Sequence, residues 1–396
     1  MKALVIGGGI GGVTLALCLL EAGIEVSLFE RNPAIVEIGA GIQLSPNAAR
    51  VLEKLNLLED IGRIAFQPLS LDMRLGHSGT RIFSIPIRER AASQFGAPYY
   101  HVHRADLMDA LLGALQQRHD KALHLNKTLV SFSQDASGVK AKFDDGTEAS
   151  GDILIGADGI HSVVRSQLQG ETPARFTGNI AWRLVVPASP ELKKLVPPSA
   201  TIWVGPGRHA VTYYLRRGEL INFVGVVERD DWQKESWTEP GEVQQLRSDY
   251  AGWAKPVTTL IAEAQSCHRW ALFDRNPLES WSEGRVSLLG DACHPMLPFL
   301  AQGAAMCIED AWVLSRKLKL DGNVPDLLAA YEAERKPRTS RAQLGSRRQM
   351  GLYHQRSLFS QLTTYGPMWL AAHLTPAYIN SRQDWLYGHD VTANRS

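Results

Sequence analysis

The sequence predicts a mixed α/β fold that combines a Rossmann-like βαβ unit with an inserted, mainly antiparallel sheet and a helical C-terminal region. Within the first 30 residues a short apolar run, a glycine-rich loop, a helical pattern and a second apolar run follow one another. Between about residues 173 and 280 apolar and polar residues alternate, as is typical of antiparallel strands. Residues 285–295, RVSLLGDACHP, then return to a strand–loop–helix pattern.

The composition is that of an ordinary globular protein. The chain has 396 residues, of which 44% are hydrophobic and 21% charged, and its formal net charge is +1. These values exclude disordered, collagen-like and coiled-coil classes. A net charge near zero argues against general nucleic-acid binding. We also expect no membrane segment, because no run of about 20 uninterrupted apolar residues occurs.

The cysteines are too scattered for a disulfide scaffold or a metal-binding set. They form no C-x-x-C pair, and His101-x-His103 lacks a third ligand at metal spacing. Glycines at 7–12 interrupt the apolar N-terminal run, which argues against a secretory signal. The sequence therefore predicts no metal site and a reducing, cytoplasmic location. The four cysteines are Cys18, Cys267, Cys293 and Cys307.

The first 30 residues carry the strongest local pattern. Residues 2–6, KALVI, predict a buried strand, and leucines at helical spacing predict a helix over 13–22 that ends at Gly23. Residues 25–29 predict a second strand, which leads directly to Glu30. This order of elements is that of a dinucleotide-binding βαβ unit.

Each residue of the G-x-G-x-x-G motif has a physical role in such a unit. Gly7 permits a tight turn, Gly9 lets a pyrophosphate approach the backbone, and Gly12 lets the helix pack closely on the strand. The helix N-terminus offers unpaired N–H groups to phosphates. Glu30 is suited to the hydroxyls of an unphosphorylated ribose, so the motif fits either NAD or the AMP half of FAD.

Weaker patterns organise the rest of the chain. Residues 32–46 predict a loop, and Asn47 is expected to cap a helix that runs through Leu55. Alternating residues over 123–155 predict antiparallel strands. From about 326 the chain is predicted to be mostly helical.

Four segments follow from these patterns, and Trp369 and Trp385 in the last are expected to pack on the body of the protein. The segments are 1–172 (first part of the nucleotide-binding domain), 173–280 (sheet-rich substrate domain), 281–325 (return to the first domain) and 326–396 (helical C-terminal region).

Two further segments carry a family resemblance. One is GADGIHSVVR at 156–165, and the other is GDACHP at 290–295, which continues to QGA at 302–304 and EDA at 309–311. Together with the N-terminal motif they resemble, over about residues 1–345, the single-component (group A) FAD-dependent aromatic hydroxylases. That family includes salicylate hydroxylase, 3-hydroxybenzoate 6-hydroxylase and 6-hydroxynicotinate 3-monooxygenase.

The resemblance implies that FAD is the bound dinucleotide. Asp158 would contact FAD and the reduced nicotinamide, although it and Asp291 also suit the capping of a local helix. Asp291 would hold ribityl or ribose hydroxyls, and Arg104 would lie along the cofactor. The residues implied at the AMP end are Gly7, Gly9, Gly12, Glu30 and Arg31, and those implied at the isoalloxazine ring are Pro295, Gly303 and Ala304.

The same resemblance implies an activity. The protein would use NADH or NADPH as a transient co-substrate and O2 to hydroxylate a small aromatic acid through a flavin C4a-hydroperoxide. A hydroxybenzoate or hydroxynicotinate is the expected substrate type, with or without decarboxylation. The alternatives are a non-phenolic ring such as a quinolone or urate, or a flavin-binding redox sensor without turnover. Neither a nucleic acid nor a membrane is expected as a partner, and the chain is expected to be a monomer or homodimer.

One strand of the sheet-rich segment suggests the catalytic residues. His209 lies in GPGRHAVTYY, which resembles the family strand whose histidine faces the aromatic ring. Alternation places His209 and Tyr213 on one face, so His209 is the expected base and Tyr213 a ligand of the substrate. The alternative is a histidine on a solvated strand face. Arg183 is either a partner for a substrate carboxylate or half of a surface ion pair.

Overall fold

The computed structural model describes residues 1–35, 41–171, 174–229 and 239–393. The strands in these ranges are β1 (Lys2–Ile6), β2 (Glu25–Phe29), β3 (Gly41–Leu44), β4 (Ser70–Leu75), β5 (Arg81–Pro86), β6 (Tyr100–His103), β7 (Leu123–His124), β8 (Leu129–Gln134), β9 (Val139–Phe143), β10 (Glu148–Gly151), β11 (Ile153–Gly156), β12 (Arg175–Pro187), β13 (Ala200–Gly205), β14 (Arg208–Leu215), β15 (Leu220–Glu228), β16 (Pro240–Gly241), β17 (Cys267–Asp274), β18 (Ser282–Glu283) and β19 (Val286–Leu288).

The helices in the same ranges are α1 (Ile10–Glu21), α2 (Pro46–Lys54), α3 (Leu58–Ile64), α4 (Ile87–Phe95), α5 (Arg104–Arg118), α6 (Val163–Gln169), α7 (Pro190–Leu195), α8 (Val243–Asp249), α9 (Lys255–Ala262), α10 (Gly303–Leu318), α11 (Val324–Tyr353), α12 (Leu358–Leu374), α13 (Pro376–Ser381) and α14 (Asp384–Tyr387). Short 3-10 turns lie at Arg216–Gly218, Gly290–Ala292 and Pro298–Leu300.

The first sheet has the strand order β18-β19-β11-β1-β2-β7 and is parallel from β19 to β7. Its central strand β1 is buried, because α1 and the three-stranded sheet β10-β9-β8 both pack against it. The strands predicted at 2–6 and 25–29 are confirmed. The helix predicted from residue 13 begins earlier, at Ile10, because Gly11 and Gly12 already belong to α1.

The second sheet has eight strands in the order β16-β17-β12-β15-β14-β13-β4-β5. Only β13 and β4 are parallel neighbours; the other pairs are antiparallel. The mainly antiparallel sheet predicted from 173–280 is therefore confirmed. β4 and β5 add to it from residues 70–86, within the first predicted segment. The predicted boundary between 172 and 173 lies outside the described residues.

The second sheet is built largely from an insertion in the first unit. The chain leaves the parallel sheet at the end of β11 and returns to it at β18 and β19. Arg165 joins the two passages, since its Nη1 donates to the Ala292 carbonyl (2.9 Å) and its Nη2 to the Ile160 carbonyl (2.7 Å). The segments on either side of the insertion are thereby held together at one edge of the parallel sheet.

Two local predictions before residue 60 are wrong. Residues 32–46 are not all loop, because β3 pairs with β6; residues 36–40 lie outside the described ranges. Asn47 is not a helix cap, since α2 begins at Pro46 after Ser45. The Asn47 side chain instead donates to Glu309 Oε1 (2.5 Å) and Gln302 Oε1 (3.2 Å) in the interior. The Asn47 amide, which the local pattern predicts as a helix cap, therefore hydrogen-bonds to residues that are distant in sequence.

The C-terminal region is helical, as predicted. The side chain of Asn323 accepts from the Asp326 N–H (3.0 Å) and so begins α11. Trp385 packs against the body and carries the Arg341 guanidinium 3.9 Å from its ring centroid. The expectation that Trp369 also packs inward is wrong, because 47% of it is exposed on α12. Among the helices described, none is both long enough and apolar enough to cross a membrane.

Candidate active site

A cavity of about 840 Å³ lies where the carboxyl ends of the parallel strands meet the eight-stranded sheet. Open α/β sheets bind ligands at this edge. Six predicted site residues do not line the cavity: Gly7, Gly12, Glu30, Arg31, Asp158 and Pro295. The predicted residues that do line it are Gly9, Arg104, Asp291, Gly303 and Ala304 on one side and His209 and Tyr213 on the other, together with Arg183.

The glycine motif is required by backbone packing and leaves space for a ligand. Gly7 has φ +109°, and a Cβ there or on Gly12 would collide with neighbouring backbone. Gly9 differs, because a Cβ there would meet nothing within 4 Å. Gly9 also precedes α1 without a side-chain cap, so its surroundings and the first N–H groups of α1 are available to phosphate oxygens.

Glu30 is held at the end of β2. Its Oε2 accepts from the Gly8 N–H (2.8 Å), and its Oε1 accepts from the Asn32 N–H (3.0 Å) and Nδ2 (2.7 Å). The carboxylate is therefore fixed beside the glycine loop, where an adenosine ribose would lie. The neighbouring Arg31 is exposed.

The two aspartates of the sequence motifs differ in what surrounds them. Asp158 accepts from Ser162 Oγ (2.5 Å) and the Val163 N–H (2.8 Å), so its carboxylate helps to begin α6. Burial raises its pKa, and these hydrogen bonds oppose the rise. The capping role left open for Asp158 is thus observed. Asp291 instead lines the cavity. Loss of solvation by the surrounding protein raises the pKa of its carboxyl, while the charges of His294 and Arg104 oppose that rise.

A buried ionic cluster supports the loop that carries Asp291. We call Arg335, Glu309 and Asp310 the arginine cluster. Arg335 lies between the two carboxylates, with Nη1 2.7 Å from Glu309 Oε2 and Nε 2.7 Å from Asp310 Oδ1. His294 Nε2 lies 2.6 Å from Asp310 Oδ2. Burial alone would raise the pKa of Glu309, but Arg335 and Arg338 outweigh it and lower that pKa to about 2. Glu309 and Asp310 therefore act as fixed anions.

The start of α10 completes this side of the cavity. Gly303 and Ala304 line it, and Ala301 just before them has φ +52°, a left-handed conformation that turns the chain into the helix. Pro295 lies behind the wall, where its carbonyl accepts from Gln343 Nε2 (2.9 Å). Pro298 and Phe299 also line the cavity and make this part of its wall apolar.

His209 faces the cavity from the opposite wall and is 1% exposed. The alternative of a solvated strand face is therefore wrong. Burial lowers the pKa of His209 well below its ordinary value, and neighbouring His354 lowers it further, so the imidazole is neutral near pH 7. Its Nδ1 lies 2.7 Å from His354 Nε2. His354 follows α11 and was hidden from any sequence motif, because the two histidines are 145 residues apart.

Tyr213 and Arg183 lie on the same side of the cavity as His209. Tyr213 is 4% exposed, and burial raises the pKa of its hydroxyl, which therefore remains a donor. Its ring lies so close to Gly41 that any side chain there would collide with it. Arg183 is 6% exposed and its guanidinium lies 5.2 Å from the Trp270 ring centroid. The surface ion-pair alternative for Arg183 is wrong.

Comparison with known proteins identifies the family. The FAD binding domain family model matches residues 1–345. A 3-amino-4-hydroxybenzoate 2-monooxygenase of Streptomyces platensis is 38% identical over 347 residues, which cover 87% of this chain and 86% of that protein. The 6-hydroxynicotinate 3-monooxygenase of Bordetella bronchiseptica is 35% identical over 394 residues, 98% of this chain and 95% of that protein. The chain belongs to the FAD-dependent aromatic hydroxylases.

A solved structure with a similar fold also matches this chain over most of its length. The crystal structure of Klebsiella pneumoniae HpxO with FAD and uric acid aligns with a TM-score of 0.84 and 30% identity, covering 96% of this chain and 95% of that one. The family model and the two relatives confirm the resemblance stated from the sequence motifs.

The residues of this hydroxylase fit FAD. Open space at Gly9, the uncapped start of α1 and the fixed Glu30 carboxylate suit the AMP and pyrophosphate groups. Asp291 and Arg104 face the cavity beyond them, and the α10 N-terminus faces the same space. The cavity thus offers hydrogen-bond acceptors for hydroxyls, and N–H groups for phosphates and for a developing negative charge.

Proposed function

We propose that this flavoprotein hydroxylates a small phenolic or hydroxypyridine carboxylic acid, using NADH or NADPH and O2. One observation carries the proposal: a neutral buried histidine, a tyrosine hydroxyl and a buried guanidinium line the wall opposite the cofactor side of one cavity. An aromatic acid presents a hydroxyl, a ring and a carboxylate, which these three groups complement. The side chains are His209, Tyr213 and Arg183.

Each of these residues has a role in the proposed reaction. Reduced FAD, when bound, would activate O2, one atom of which is transferred to the ring. His209 accepts the substrate hydroxyl proton at Nε2, which makes the ring more electron-rich and more reactive. Tyr213 donates a hydrogen bond to a substrate oxygen, and Arg183 holds the carboxylate.

Most of the remaining sheet side of the cavity is apolar, although Asp72 of β4 also lines it. Met73, Phe83, Val224 and Val226 line it beside His209. Such a wall excludes water from the reacting ring, so the activated oxygen is less exposed to a competing loss as peroxide. It also leaves Arg183 as the residue suited to a substrate anion on this wall.

Further parts of the proposal concern the co-substrate and setting. Only one G-x-G-x-x-G motif follows a predicted strand, at residues 7–12, so we expect the reduced nicotinamide to bind transiently. The four cysteines are all buried and unpaired, which supports a reducing, cytoplasmic setting. A monomer or homodimer without a nucleic-acid or membrane partner is part of the same proposal.

A substrate panel tests the proposal. Purified holoenzyme is mixed with NADH or NADPH and air, with hydroxybenzoates, hydroxynicotinates, 3-amino-4-hydroxybenzoate and urate as candidates. NADH loss, peroxide and product mass are measured together. A product heavier by one oxygen atom, with little peroxide, supports the hydroxylase, and loss of the carboxyl group reveals a decarboxylating reaction. Turnover of urate alone would replace the phenolic assignment, and no stimulation by any compound would favour a redox sensor.

A variant pair tests the assigned base. His209→Gln is expected to slow hydroxylation by about 100-fold while retaining its FAD, because only proton acceptance is lost. His77→Gln is the control, because His77 is exposed and lies outside the cavity. Equal loss of FAD and activity in His209→Gln would contradict the role of His209 as base.

A further inference from the structure

A chain of three titratable side chains connects the cavity to the protein surface; we call it the histidine chain. His209 Nδ1 lies 2.7 Å from His354 Nε2, and His354 Nδ1 lies 2.9 Å from Glu228 Oε1. The two imidazoles are buried, whereas 26% of the Glu228 side chain is exposed. The other Glu228 oxygen pairs with the exposed guanidinium of Arg356. Each link has the length of an ordinary hydrogen bond.

We infer that His354 and Glu228 form the route by which the substrate proton leaves the buried site. The inference rests on the proposed function, in which His209 accepts that proton. Without such a route the proton would stay on an imidazole that has almost no contact with solvent. A positive charge buried there would be poorly solvated, and the proton would stay beside the ring that it has left.

The transfer balances at every atom. In the starting state His209 carries its proton on Nδ1 and donates to His354 Nε2, and His354 carries its proton on Nδ1 and donates to Glu228. The substrate proton bonds to His209 Nε2 as the Nδ1 proton moves to His354 Nε2. The His354 Nδ1 proton then moves to the Glu228 carboxylate, which releases it to water. Both imidazoles end neutral, with their protons on Nε2.

The reverse sequence restores the starting state. Water protonates Glu228, which returns a proton to His354 Nδ1. His354 passes its Nε2 proton to His209 Nδ1, and His209 Nε2 gives its proton to the oxygen of the product. The same three residues therefore serve proton release when substrate ionises and proton return before product leaves.

The surroundings of the histidine chain favour transfer of a proton along it over retention of that proton on an imidazole. Burial lowers the pKa of His354; hydrogen bonding to Glu228 and the Glu228 charge raise it, and the Arg356 and Arg208 charges lower it. Burial and His354 also lower the pKa of His209. A proton is therefore unstable on either imidazole, whereas Glu228 meets solvent directly.

The alternative is that these bonds only hold the end of α11 against β14 and β15. Two variants separate the roles. Glu228→Gln keeps an oxygen that accepts from His354 but cannot take up a proton, and His354→Gln interrupts the chain at its centre. Glu263→Gln is the matched control: Glu263 is a half-buried glutamate outside the cavity and the histidine chain, and it accepts from Ser189.

The measurement is proton release on binding, without turnover. Oxidised holoenzyme and an indicator dye are mixed without oxygen or NADH with 3-amino-4-hydroxybenzoate, 3-hydroxybenzoate or 6-hydroxynicotinate. We expect both chain variants to bind the probe as tightly as wild type and to release its proton about 10-fold to 100-fold more slowly. Added imidazole buffer should restore the rate, because a small base replaces the missing route. Glu263→Gln should match wild type.

Three results would overturn the inference, and they are distinguishable. Wild-type rates in both chain variants would show that the proton leaves elsewhere. Slow release with equally weakened binding and no rescue by imidazole would leave only a structural role. If wild type neither binds nor hydroxylates any probe, the proposed function itself fails and the route fails with it.

Discussion

In its first half, α11 places Arg335 between two carboxylates in the closed interior. Its C-terminal end leads to His354, which lies between His209 and the partly exposed Glu228. The arginine cluster consists of permanent charges that neutralise one another. The histidine chain consists of neutral imidazoles that end at a solvent-accessible carboxylate. One helix thus supports the cofactor loop with fixed charge and the substrate wall with groups that can exchange protons.

The difference shows how one interior can hold polar groups for two purposes. Arg335 is 0% exposed, so removing a partner leaves a buried charge uncompensated. Removing His354 leaves the neutral His209 with one hydrogen bond fewer, while the partly exposed Glu228 keeps its pair with Arg356. The first cluster should therefore dominate stability, and the second should dominate proton transfer.

Arg335→Met should give the largest change. Glu309 and Asp310 would stay buried with their main counter-charge gone, so we expect a loss of about 3–5 kcal/mol in the free energy of unfolding. Urea denaturation of the holoenzyme measures it. Arg316→Met, on an exposed site of α10, should change that free energy by less than about 0.5 kcal/mol. Similar small values for both variants would contradict the structural role given to Arg335.

The arginine cluster and the histidine chain should affect the free energy of unfolding over different pH ranges. The pKa of Glu309 falls from 4.5 to about 2 on folding, so its stabilisation is present above pH 4.5 and is lost as the pH falls towards 2. The loss is on the order of 3 kcal/mol. Urea unfolding at a series of pH values should show this limb in wild type and a flatter one in Glu309→Gln. An unchanged acid limb in the variant would contradict this assignment.

His354→Gln should have a smaller effect that begins at higher pH. The folded-state pKa of His354 lies below its ordinary 6.5, so the unfolded chain binds this proton first. The stability it contributes is present above pH 6.5 and is lost as the pH falls through the lower, folded-state value. We expect the variant to lose about 1 kcal/mol at pH 7.5 and to show a weaker pH dependence below 6.5, measured by the same unfolding series.

Arg356→Gln should give the smallest change. Its guanidinium pairs with Glu228 but is 77% exposed, so the free energy of unfolding should change by about 0–1 kcal/mol. The difference from wild type should shrink further in high salt, because salt screens an exposed pair. A large loss in the free energy of unfolding that does not depend on salt would contradict the view of this ion pair as an exposed, weak one.

The parts of the site that depend on backbone geometry could be predicted from the sequence. Gly12 is required by the close approach of the Gly7 carbonyl in the same loop, Gly7 itself has a positive φ, and Glu30 follows directly from the second strand. Because glycine is the residue such close packing allows, the local pattern carries the information. The side of β14 that faces the cavity follows equally from strand alternation, which correctly places His209 and Tyr213 together.

The parts that depend on distant side chains could not be predicted. Arg335, His354 and Glu228 lie in no motif, and their partners are found only once the two sheets are assembled. Asn47 is instructive because its local pattern fits a helix cap, while its amide is bound by Glu309 from α10. Arg183 likewise has the sequence context of an ordinary surface arginine, but in the folded protein it is buried.

The strand order also bears on how the chain folds during synthesis. β11 ends at Gly156, yet its outer neighbour β19 begins only at Val286. β4 pairs early with β5, but its other neighbour, β13, begins only at Ala200. A nascent chain that has emerged as far as β11 therefore carries two sheets with unfilled edges. Such long-range pairing slows folding and exposes aggregation-prone edges. We expect ribosome-bound fragments that end before residue 286 to be protease-sensitive and to require chaperones.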